Sequence, residues 1–242
     1  MLTKAMLVDM LEKQEAVNNV MTGNGDKWRD LNRPWYRAIW RELSECTDHI
    51  SWEWWKSSKV DWPQLHLEIV DVFHFILSSE LNSTEVSETY LPIHEIAEHL
   101  EVAFNMEGDC DVSYVDEQER MEKTMELLEG MVAGVILNRR APYVSFSALM
   151  NISGFSWTEL HAWYVGKNRL NHFRQANGDK KGSYTRTWKS AGGAASRADN
   201  EVLEEIISLR LPMQIAKIDN LNVQDYIDGE LQNAYDYHLS LR

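Results

Sequence analysis

Between Leu65 and Leu77 the chain is apolar on almost every side. Leu65, Leu67, Ile69, Val70, Val72, Phe73, Phe75, Ile76 and Leu77 leave a helix no face for water, the pattern of a buried helix. Glu68, Asp71 and His74 interrupt this surface at successive threes, a spacing that places them along one stripe. An unpaired carboxylate in such surroundings is strongly unfavourable, so each must be paired, protonated or bound to a cation. The segment carries no Lys or Arg of its own. Arg37 and Arg41, one segment earlier, are the salt-bridge partners to weigh against a metal.

Glu42 and Glu45, on that earlier segment, repeat the spacing of three. Spacing alone says little in a chain with 38 acids, because Glu95/Glu98, Glu119/Glu122, Glu126/Glu129 and Glu201/Glu204 share it on faces that read as solvated. The apolar setting of Glu68 and Asp71 is what separates them from the others. If the two segments pack as an antiparallel hairpin with their acidic pairs facing, four carboxylates converge and a cation has to relieve the repulsion. Oxygen donors alone suit a hard ion, Mg²⁺ or Mn²⁺, rather than zinc. Two such ions can clamp phosphate oxygens and activate a water for in-line attack.

Helical periodicity runs through the rest of the chain and no convincing strand alternation interrupts it. Helices are expected over residues 4–20, from Pro34 to about 56, 61–80, 85–106, 116–139, 145–152, 156–176, 200–210 and 222–240. Gly23, Asn24 and Gly25 break the first from the second. Asp61 with Gln64, and Ser156 with Glu159, have the spacing of helix-capping pairs. The Gly, Ala and Ser content of Ser190 to Ala198 reads as a mobile loop. The fold class is therefore all-α, a helical bundle.

Charge narrows the function. At a net −14 the chain is no general nucleic-acid binder. Yet Gly166 to Arg197 holds eight Lys or Arg against the single acid Asp179, which is either a localised anion site or a solvated basic loop. The longest candidate membrane run, Met131 to Leu137, is far short of the ~20 residues a span needs, and the first residues do not read as a signal peptide. Cys46 and Cys110 stand apart, which fits a reducing compartment and excludes a cysteine zinc site. Acid cluster, hard cation and basic strip together describe a nucleotide pyrophosphatase.

Glu42-x-x-Glu45 followed by Glu68-x-x-Asp71 resembles the ExxE…ExxD signature of the all-α nucleoside triphosphate pyrophosphatases, the superfamily of MazG proteins and dimeric dUTPases. Residues 164–188, YVGKNRLNHFRQANGDKKGSYTRTW, are similar to the GKNxLNxFRQ segment of the dimeric dUTPases. Gln14 and Asn18 resemble their N-terminal LQxxLN element, and Ser51 to Lys56, SWEWWK, their tryptophan-lysine element. The resemblance implies one all-α domain over 1–242, with catalytic helices at about 4–82 and 156–210 and an intervening part, 83–155, that moves.

It also implies roles. Glu42, Glu45, Glu68 and Asp71 would hold two or more Mg²⁺ ions, Mn²⁺ being the alternative, with Glu45 orienting or deprotonating the water that attacks the β-phosphorus of dUTP. The products would be dUMP and pyrophosphate, and dUDP would be hydrolysed too. Lys167, Arg174, Lys180 and Arg186 would contact phosphates, and Lys56 could reach one. Gln14, Asn18 and Asn171 would recognise the base, Trp52 and Trp55 would wall its pocket, Tyr184 would line the site, and His74 and Phe75 would meet the deoxyribose. A homodimer in the cytoplasm of a bacterium or a phage-infected cell is the expected setting, with no nucleic-acid or membrane partner. Asp179 departs from the family's usual tyrosine, and 83–155 matches no motif. Two other readings stay open: a dCTP or dual dCTP/dUTP pyrophosphatase of the same superfamily, and a helical binding module without catalysis.

Overall fold

The computed structural model describes every residue except 24, 84–89, 107–111, 190–195, 216–221 and 242. Cys110, Asn24 and most of the expected loop from Ser190 lie outside the described residues. Two compact units divide the chain, Met1–His161 and Ala162–Arg242.

The first unit is built of α1 (Lys4–Met21), α2 (Trp35–Asp48), α3 (Trp62–Leu81), α4 (Ile93–Asn105), α5 (Glu117–Asn138) and α6 (Tyr143–Ile152). It takes in the beginning of α7 (Trp157–Ala176). As its sequence requires, α3 is the central element, with α2 packed along it, α1 against another face, and α5 covering α2. Leu65, Leu67, Ile69, Val70, Val72, Phe73, Ile76 and Leu77 are all buried. Around Phe73 the rings of Phe104, Phe146 and Trp157 stand with centroids 5.5, 5.5 and 6.2 Å away. The caps are as expected: Asp61 accepts from the Gln64 amide at 3.2 Å, and Ser156 and Glu159 cap each other's amides.

Two boundaries differ from the sequence reading. The second helix stops at Asp48 instead of near Lys56. Its last carbonyls find other partners, since the Trp52 indole donates to Thr47 O at 3.1 Å and the Asp61 amide to His49 O at 2.9 Å. Those bonds fold residues 49–61 into a loop instead of another turn of helix. The fourth helix begins only at Ile93, because Pro92 before it has no N–H to continue a helix on its N-terminal side.

The second unit holds the rest of α7, then α8 (Asp199–Glu205), a π-helical turn over Ile206–Arg210, α9 (Leu211–Ile215) and α10 (Val223–Ser240). A two-residue ladder, β1 (Thr187–Trp188) with β2 (Arg197–Ala198), is antiparallel. It corrects the loop expectation at Arg197 and Ala198. Gly166 is where α7 meets the π-helical turn: a Cβ there would lie 2.3 Å from Ile207 Cδ1. Gly178, at φ 91°, supplies the left-handed turn that ends α7. Among the described residues no helix is long and apolar enough to cross a membrane.

Truncating Phe73 removes the ring on which this aromatic cluster centres. Phe73→Ala should lower the unfolding free energy by about 3–5 kcal/mol, measured by denaturant titration; a loss below 1 kcal/mol would show that the cluster does not hold the first unit together.

Candidate active site

Packing of α2 on α3 brings three of the four expected acids together. Glu42, Glu68 and Asp71 each offer an oxygen, and these oxygens lie within 4.8 Å of one another. All three residues are half-buried. Beneath them is Cys46, fully buried, its thiol pushed well above the usual range by burial and then by the negative charges of Glu68, Glu42 and Asp71. His49 Nε2 lies 3.6 Å from Glu68 Oε1, and that carboxylate raises the imidazole above its ordinary value. The fourth acid, Glu45, is turned to Arg41, whose guanidinium it meets at 2.7 Å. The salt-bridge alternative thus describes Glu45, while the other three carboxylates converge on one another. The donor set fits a hard divalent cation, being all oxygen and held on two packed helices.

The loop after α2 carries the aromatic candidates on the surface. Trp52 is 41% and Trp55 55% exposed, edge to face at 5.5 Å. Trp54, which no reading singled out, meets Trp55 at 5.1 Å. Lys56 pairs with Glu53 at 2.6 Å.

Gln14 and Asn18 meet α3 in the interior. Each is 4% exposed. His74 Nδ1 is 2.7 Å from Gln14 Oε1, Gln14 Nε2 donates to Asn18 Oδ1 at 3.1 Å, and Ser78 Oγ accepts from Gln14 Nε2 at 2.9 Å and from Asn18 Nδ2 at 3.2 Å. Phe75, the next residue after His74, has its ring 6.3 Å from that of Trp35.

In the second unit the basic segment is organised by an acid that sequence reasoning missed. Asp199, at the start of α8, accepts two bonds from Arg174, at 2.9 and 2.8 Å, and one from the Tyr184 hydroxyl at 2.7 Å. Burial and the Asp199 charge push the Tyr184 phenol far above its usual range. Asn200 accepts from Arg174 at 3.0 Å and from Lys167 at 3.2 Å, and Asn171 from Arg174 at 3.3 Å. Lys180 is exposed. Arg186 pairs with Asp179 at 3.2 Å, so the residue that departs from the family's tyrosine has a partner of its own.

The sequence profile of the dUTPase family matches residues 6–178, which covers both acidic pairs and the GKNxLNxFRQ segment. The chain belongs to the all-α dUTPase family. It is accordingly a dUTP diphosphatase, a nucleoside triphosphate pyrophosphohydrolase, and the family placement lends nothing to the dCTP or non-catalytic readings. No curated protein matches it. Enzymes of this family use a divalent metal, and the Glu42–Glu68–Asp71 cluster of this dUTPase can bind one.

Signals for the missed residues were unequal. Ser78 lies one turn beyond His74 on the same helix stripe, and His49 one turn beyond Glu45, so both were available from periodicity. Asp199 follows a segment of small residues and lies outside the family match, and nothing local marks it.

Breaking a buried ion pair by removing one partner leaves a charge stranded. Asp199→Ala should therefore destabilise the protein by about 3–5 kcal/mol in denaturant unfolding, and the Arg174→Met/Asp199→Leu double variant by less. Equal or greater loss in the double variant would contradict the pairing.

Proposed function

We propose that this dUTPase hydrolyses dUTP to dUMP and pyrophosphate at the Glu42–Glu68–Asp71 cluster with Mg²⁺ as its resident cation, and that dUDP is also a substrate. The observation that carries the reading is the convergence of three carboxylate oxygens within 4.8 Å on two packed helices. A divalent ion held there supplies positive charge against the phosphates and acidity to a bound water.

The chain's own groups do the remainder. Glu68 and Asp71 project from a largely buried helix packed against α2, which holds their oxygens close together. Glu45, one turn from Glu42 and outside the cluster, is the group to take the proton of the attacking water once its bond to Arg41 is released. Attack at the β-phosphorus leaves dUMP as the departing group. Gln14 and Asn18 read the uracil edge, because an amide supplies both donor and acceptor. His74 and Phe75 meet the deoxyribose, Trp52 and Trp55 stack on the base side, and Lys56 reaches a phosphate. Lys167, Lys180 and Arg186 supply phosphate contacts, with Arg174, Asn171 and Tyr184 in the same segment. Its excess of positive charge supports that role. The protein acts as a cytoplasmic homodimer, as its family is dimeric. It has no nucleic-acid partner, consistent with its net charge of −14.

Pyrophosphate release from dUTP should require Mg²⁺ and cease in EDTA. Glu68→Gln and Asp71→Asn should each lower kcat by ~10²–10³-fold, the loss typical of removing one group aimed at developing charge. Glu119→Gln, on an acidic pair outside the cluster, should not change it. Full turnover in Asp71→Asn, or turnover in EDTA, would remove the proposal.

A further inference from the structure

We propose that a cavity between the C-terminal end of α3 and the turn from α5 to α6 binds hydrogen phosphate, and that Glu80 makes it selective for an oxyanion that carries a proton. The cavity, of about 330 Å³, is lined by Ser79, Glu80, Ser83, Arg139, Arg140 and Tyr143. None of these belongs to the nucleotide site proposed above. Glu80 lies nine residues past Asp71 on α3, which is about 13 Å along a helix. The volume is at the low end for small-molecule sites and suits a small ion better than a nucleotide.

The arginines set the sign of the ligand. Both are exposed, and among the described residues neither has a carboxylate partner, in a chain with 38 acids. The Arg139 guanidinium lies over the Tyr36 ring at 5.5 Å, an arrangement that leaves its edge N–H groups for an acceptor. Arg139 itself ends α5 at φ 55°, a left-handed conformation usually left to glycine. Two adjacent guanidiniums disfavour a cation and suit an oxyanion.

Glu80 sets the protonation state. An acid in such a place opposes most anions, and neither arginine pairs with it although all three line one cavity. The Tyr143 hydroxyl donates to Glu80 Oε1 at 2.6 Å. Burial raises the Glu80 carboxyl, and burial with the Glu80 charge pushes the Tyr143 phenol far up. Among the described residues Glu80 Oε2 has no partner, so it can accept from a ligand. Hydrogen phosphate meets both demands, with bare oxygens for the guanidiniums and a P–OH for Glu80. The Ser79 hydroxyl, which bonds to no described residue, can donate as well. Ser83 Oγ donates to Ser79 O at 3.0 Å and keeps its lone pairs for an acceptor role. Sulfate has no proton at neutral pH and would set an oxygen against the carboxylate, a repulsion that excludes it.

The phosphate could be free or the end of a monoester. A monoester loses its second proton near pH ~6, so at pH 8 only the inorganic ion keeps the donor. Calorimetric titration at pH 8 in EDTA, with inorganic phosphate, sulfate and methyl phosphate in turn, tests the site. The native chain should bind inorganic phosphate at least about tenfold tighter than the other two, the worth of one charged hydrogen bond. Arg140→Ala, at an exposed position, should weaken phosphate by about tenfold or more. Glu80→Gln, whose amide can donate, should bring sulfate to within about twofold of phosphate. Lys180→Ala, in the basic segment of the second unit, should bind phosphate as the native chain does. No uptake of phosphate, or sulfate or methyl phosphate bound as tightly by the native chain, would overturn the proposal. Loss of binding in Lys180→Ala with Arg140→Ala unchanged would also overturn it, by assigning the ion to the basic segment while leaving the nucleotide reading intact.

Discussion

Negative charge drawn together on a largely buried helix is the constraint around which the first unit is built. Glu68 and Asp71 emerge from α3 on the stripe between apolar residues, and α2 adds Glu42 to the same place. Helix packing energy holds these acids close against their mutual repulsion. Only a bound cation turns such an arrangement from a liability into a reagent. Cys46 and His49 border the cluster, the Cys46 thiol pushed well up by burial and the three carboxylates, and the His49 imidazole raised by Glu68. Glu45 has a different balance. It lies outside the cluster, paired with Arg41 at 2.7 Å.

Buried polar groups elsewhere follow the same economy of satisfaction, and each specifies something an apolar core could not. The amide, imidazole and hydroxyl cluster of Gln14, Asn18, His74 and Ser78 ties α1 to α3. The Asp199 cluster fixes an arginine, a tyrosine and, through Asn200, a lysine of the basic segment.

Much of this was legible in the residues. The apolar girth of 65–77 gave the central helix, two of its three interruptions, Glu68 and Asp71, lie in the acidic cluster, and Asp61 and Ser156 gave helix starts to within a residue. The ExxE spacing was less informative: Glu42 and Glu45 share a helix face, yet only one joins the cluster, because Arg41 competes for the other and a helical stripe cannot show which pairing prevails. The end of α2 was misjudged, since an indole four residues on from the helix captures the Thr47 carbonyl in its last turn and periodicity carries no trace of that bond. Asp199 escaped for a related reason. Its partners lie 15 and 25 residues away, so only the folded second unit brings them together.

The account turns on whether the three carboxylates bind a divalent ion, which Mn²⁺ titration followed by electron paramagnetic resonance measures without reliance on turnover. The native chain should suppress the free-ion signal until the site is filled, and Asp71→Asn and Glu68→Gln should leave that signal nearly undiminished while Glu119→Gln behaves as the native chain does. A native protein that leaves the free-ion signal intact, or an Asp71→Asn protein that titrates identically to it, would contradict the account.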